Sequence, residues 1–225
     1  MSAPELYNYP PFFNHANLVH YWRLEGNSND AKGSNNGSDA NITYSTGNGK
    51  FNQGAGLNGS SSKITFSNPS IGANATFMMW VKPTGNWGNT AQGLFDTDPS
   101  ALGAVRIYGN SAGALRYEIG GTGAQTTSAI GDWTGVWHHL AVVVSSSQTV
   151  TVIADGISIG SANCGSNATS STFLVGNVNA ANWFNGAVDD IAYFNTNIAT
   201  ADILAYINFV EGGGSPIFFG NTAIA

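Results

Sequence analysis

The hydrophobic and polar positions of residues 133–160, WTGVWHHLAVVVSSSQTVTVIADGISIG, describe three strands and the two turns that join them. Residues 139–144 are almost entirely apolar and rich in valine, as expected of a strand covered on both faces and therefore central in its sheet. A polar tip follows at residues 145–148. Residues 149–154 then alternate, with Val150, Val152 and Ala154 on one face and Thr149, Thr151 and Ile153 on the other. Asp155 and Gly156 make the next turn, because a two-residue hairpin loop needs positive φ, which aspartate tolerates and glycine takes without strain. Residues 157–161 are therefore expected to return antiparallel.

The same reading predicts strands at residues 18–25, 63–66, 76–82, 93–96, 104–108, 114–119, 171–175 and 187–195, with a long polar loop at 26–39. One short helix follows, with Thr200 as N-cap and Ile203, Leu204 and Ile207 on its apolar face. About a dozen short strands and one helix describe an all-β, two-sheet antiparallel jelly-roll sandwich, here residues 18–210. Residues 1–17 are rich in proline and aromatics and read as an extended N-terminal arm. Residues 211–225 begin Glu-Gly-Gly-Gly and read as a second arm, carrying Ile217, Phe218 and Phe219.

Composition narrows this picture. Only 9% of the 225 residues are charged, so the surface is mostly neutral and polar, which suits an extracellular protein or a subunit packed among its own copies. A net charge of −6 without a basic run argues against nucleic acid, and no apolar stretch approaches membrane-spanning length. The start of the chain has no basic region or apolar run of a secretory signal. Cys164 is the only cysteine, so it has no intrachain disulfide partner and reads as a small buried residue.

In order, YWRLEG, NDAKGSNNGS, FNQGAGLNGSSSKITF, FMMWVKP, GVWHHLAVVV, VIADGISIG and FNGAVDDIAYFNTNIATADILAYI resemble the laminin-G-like domains of the concanavalin-A-like lectin/glucanase superfamily. The likeness covers about residues 18–209. It implies two curved sheets with the first and last strands side by side, and a range of functions from carbohydrate binding and adhesion to structural roles in secreted and viral proteins. Related domains often hold a structural calcium between the loop after the first strand and the acidic pair of the last. The matching positions are Asp30 and Asp190, with Asn35 or the Gly33 carbonyl as neutral ligands. The alternative is that Asp30 organises an Asx turn and that Asp189 and Asp190 bind backbone at a sheet edge.

Other candidate chemistry is thin. His138 and His139 are neighbours on a strand and face opposite ways, so one ring is expected to be packed and the other wet. Gly109 to Gly113 matches G-x-S-x-G around Ser111, but strands on both sides give the wrong context for a nucleophile elbow. The E-x-D-x-x-E arrangement of the superfamily's glucanases is missing, and adjacent Asp189 and Asp190 diverge unless a bulge intervenes. Trp87, Trp133 and Trp183 fall in predicted loops and are the candidates for stacking on sugars, with core capping as the alternative; Trp22, Trp80 and Trp137 read as core.

These features point to a non-enzymatic structural, assembly or surface-attachment subunit, extracellular or on a virion. Its partners would be copies of itself or a neighbouring structural protein, held through the arms. The alternative is a carbohydrate-binding or adhesion module with glycans as partners.

Overall fold

The computed structural model describes residues 11–67, 74–97, 105–110, 112–118, 125–147, 149–163, 172–178, 181–212, 218–219 and 222–223. Cys164, Ser111 and the first ten residues of the N-terminal arm lie outside them.

Two antiparallel sheets face each other. The first has eight strands, in the order Ile157–Asn163, Thr149–Ala154, His138–Val144, Ala75–Pro83, Asn185–Phe194, Gly54–Asn58 and Thr43–Ser45, with Leu18–Trp22 also paired to Asn185–Phe194. The second has seven, in the order Gln125–Ala129, Ala114–Glu118, Arg106–Gly109, Gly93–Asp96, Thr172–Val175, Lys63–Ser67 and Ser38–Ala40. The valine-rich strand His138–Val144 lies between two neighbours, and Asp155 and Gly156 take φ of 48° and 77°, as their tight turn demands.

Large aromatics fill the space between the sheets. Trp22, Phe66, Phe77, Phe95, Phe173 and Tyr193 interdigitate there, with the Phe66 and Phe173 rings stacked at 4.5 Å. A second apolar layer lies on the outer face of the eight-stranded sheet. There Ile203, Tyr206 and Ile207 of the helix Thr200–Gly212 cover Met78, Trp80, Ala141 and Phe194. Leu204, expected on the buried face, is exposed, and Tyr206 is buried instead.

The arms depart from simple extension. Pro11–Asn14 forms a 3-10 turn, and Phe12 is buried edge-on against Tyr21, Phe194 and Tyr206 of its own domain. Near the other end, Phe218–Phe219 pairs with Thr222–Ala223. Among the described residues no helix is long and apolar enough to cross a membrane.

Candidate functional site

The helix and the N-terminal turn cover only part of the outer face of the eight-stranded sheet. Beside them lies a cleft of about 450 Å³. Its floor is set by register: Thr43 pairs with Gly56, Gly56 with Ala187 and Ala187 with Lys82, so these four residues stand side by side on adjacent strands. Two of the four carry almost no side chain, so the floor is low there, with the Asn48 side chain lying over Gly56. Gly56 cannot be replaced without movement, because a Cβ there would meet Asn48 Nδ2 at 2.3 Å.

The walls are polar. Asn48 donates to the Thr43 carbonyl at 3.0 Å, while its own Oδ1 accepts no hydrogen bond from the described residues. Asn58 is committed to its turn, accepting from the amides of Ser60, Ser61 and Ser62. Lys82 donates to the Gly47 carbonyl at 2.9 Å, and its ammonium stands 4.9 Å from the centre of the half-buried Trp137 ring. Among the described residues no carboxylate lines the cleft.

The positions expected to hold calcium behave differently. Asp30 collects donors from its own loop. Oδ1 accepts from the amides of Tyr21, Lys32 and Gly33, Oδ2 accepts from the Asn35 amide, and His20 Nδ1 lies 2.6 Å from Oδ2. Burial works to raise its pKa, but the bonds from His20 and the amides outweigh it and hold the carboxyl at about 2. The nitrogens of Gly33 and Asn35 thus point at Asp30, and the Asn35 side chain bonds Ser67 on the other sheet. This is the Asx-turn arrangement. Its oxygens are filled by N–H groups, so the set as folded does not fit a cation bound between Asp30 and Asp190.

Asp190 lies at a fork. The strand Asn185–Phe194 pairs with Gly54–Asn58 through Val188 and with Leu18–Trp22 from Ile191 onward, and the register slips between Asp189 and Ala192. Asp190 takes φ of 49°. This bulge keeps both Val188 and Ile191 in the inter-sheet core and turns both aspartates away from it. Asp189 accepts from the amides of Lys50, Phe51 and Asp190, and Asp190 accepts from the Tyr21 hydroxyl. Burial raises both carboxyls above the usual range, and for Asp189 the neighbouring Asp190 adds to it.

Asp96 is matched by Arg106 directly opposite it, at 3.2 Å. The two histidines separate as the strand alternation requires. His139 is buried against Trp80 and Tyr206, and burial lowers its pKa to about 3. His138 stacks on Trp133 at 4.1 Å with Nδ1 2.7 Å from Asp155.

The candidate stacking platforms require correction. Trp87 is 0% exposed and Trp133 5%, so neither offers a face to a sugar. Trp87 packs against Trp133 and Phe184, closing one end of the core. Trp183 is half-buried on a short strand paired with Asn177–Val178. Trp137, expected in the core, is half-buried and packs against the outer apolar layer.

This sandwich, with a polar cleft on one sheet, has the form of a lectin-type domain. Residues 58–204 match the family described as the concanavalin A-like lectin/glucanases superfamily, and the chain belongs to it, in its laminin-G-like branch. Comparison with curated proteins gave no match. Among solved structures, domain 4 of AbnA, a GH43 extracellular arabinanase from Geobacillus stearothermophilus in complex with arabinotriose, superposes with a TM-score of 0.70 at 18% identity, covering 84% of this chain and 98% of that one. The binding domain of Paraclostridial Mosquitocidal Protein 1 gives 0.68 at 16% identity, and that of botulinum neurotoxin serotype D gives 0.67 at 13%. Each alignment covers 85% of this chain, but only 52% and 51% of the toxin domains. At these identities the likeness is one of fold.

Proposed function

We propose that this chain is a non-catalytic carbohydrate-binding module whose ligand lies in the cleft beside Lys82 on the outer face of the eight-stranded sheet. The observation that carries the reading is the cleft of about 450 Å³, edged by the polar side chains of Thr43, Asn48, Lys82 and Thr84. A pyranose or furanose ring could lie against the sheet there and exchange hydrogen bonds with hydroxyl, amide and ammonium groups. The arabinotriose complex of the arabinanase domain, on a similar sandwich, supports the same class of ligand. Use of Phe12 by its own domain favours this reading over assembly through a free N-terminal arm.

The test is a glycan array and affinity gel on the intact chain, with Ala187→Leu to fill the floor and Trp183→Ala as a comparison. Retention by at least one glycan class should be lost in A187L, with the fold retained by circular dichroism, and kept in W183A. Retention indifferent to A187L would remove the cleft from consideration, and loss in W183A would move the site to that tryptophan.

A further inference from the structure

We infer that the saccharide bound in this cleft is anionic, bearing a carboxylate or sulfate that Lys82 receives. This inference rests on the carbohydrate reading above. On a chain of net charge −6, the charged residue lining the cleft among the described residues is a cation, and none of those residues is acidic.

Lys82 is prepared for an anion rather than consumed by one. Among the described residues it has no carboxylate partner. Its ammonium is held by the Gly47 carbonyl at 2.9 Å and stands 4.9 Å from the centre of the Trp137 ring, which leaves further N–H donor capacity. Lys50 gives the contrast. It stands 4.2 Å from the Trp80 ring on the same face of the sheet, but its ammonium is paired with Glu211 at 2.9 Å. Two lysines cap two tryptophans on this face, and the one beside the covering helix is paired while the one in the cleft is not.

The surroundings add to the effect. The cleft walls exclude part of the solvent around Lys82, and a charge-assisted hydrogen bond gains strength where water is reduced. Asn48 Oδ1 and the hydroxyls of Thr43 and Thr84 would serve the neutral hydroxyls of the same sugar.

The experiment is calorimetric titration of the full chain with matched pairs of oligosaccharides. One arm compares oligogalacturonate with its methyl ester; the other compares a sulfated oligosaccharide with its desulfated form. At low salt the anionic member of at least one arm should bind about tenfold tighter than its neutral counterpart. That advantage should disappear in Lys82→Gln and persist in Lys82→Arg, which keeps the charge and guards against a change in the Gly47 loop. Equal binding of both members, or a preference that survives K82Q, overturns the anionic assignment while leaving carbohydrate binding intact. If no member of either pair binds and the neutral glycans of the array do, the anionic assignment again fails alone. If nothing binds at all, both readings fail.

Discussion

The hydroxyl of Tyr21 donates to Oδ1 of Asp190 across 2.5 Å, joining residues 169 positions apart in the chain. Tyr21 belongs to the first strand and Asp190 to the last long one, so this bond secures the closure of the sheet where its edge divides. Tyr21→Phe keeps the ring in its apolar pocket but leaves a buried acceptor without its donor. A loss of about 1–3 kcal/mol is expected in urea unfolding. An unchanged midpoint with unchanged slope would mean that the bond contributes nothing.

The same acids set a pH dependence. Burial raises the carboxyls of Asp189 and Asp190, so the folded chain keeps protons that the unfolded chain has released. Their contribution is therefore present at low pH and declines as pH rises above the ordinary carboxylate range. His139 acts the other way. Its pKa is lowered to about 3, so its contribution is lost as pH falls from about 6.5 toward that value. Asp190→Asn removes one buried charge and leaves His139 in place. Between pH 5 and pH 8 the melting temperature of the natural chain should fall relative to the variant; parallel curves would argue against a buried charge at this position.

The amides of Tyr21, Lys32, Gly33 and Asn35 occupy the oxygens of Asp30 in the folded chain. Chelator is expected to leave the melting temperature unchanged, and a drop on adding it would show that a cation displaces those donors. Asp30→Ala orphans several of them together and should destabilise the fold by about 3 kcal/mol near neutral pH. Because this carboxyl is held at about 2, its contribution is complete above the ordinary carboxylate value and is lost as pH falls from about 4 to about 2.

Trp87 closes the core, so Trp87→Ala should lower stability by about 3–5 kcal/mol through the cavity it leaves. Trp183→Ala, at a half-buried position, should lower it by less. Equal and small effects from both would contradict the packing of Trp87 against Trp133 and Phe184.

Residues 139–144 and the Asp155–Gly156 turn are legible from the chain because their signals are local. A valine run, an alternation and a turn dipeptide act within a few bonds. The bulge at Asp190 has no such local signal. Val188 and Ile191 are three positions apart, an odd step that a regular strand cannot bury on one face, and their sharing the inter-sheet core is visible only in the structure. The cleft left a weak trace in Gly54 and Gly56, two positions apart on one face of a strand. Nothing local marks Ala187 or Lys82 as their neighbours.

What the sequence by itself determined is the class of fold: strands, tight turns and one helix, whose order and spacing carry the laminin-G-like pattern. The pairing of Tyr21 with Asp190, the burial of Trp87 and Trp133, and the row of Thr43, Gly56, Ala187 and Lys82 were decided only in three dimensions. The physical reason is that periodicity tells which face of a strand a side chain takes. Which strands lie side by side, and in what register, depends on contacts between residues far apart in the chain, such as Gly56 with Ala187 and Tyr21 with Asp190.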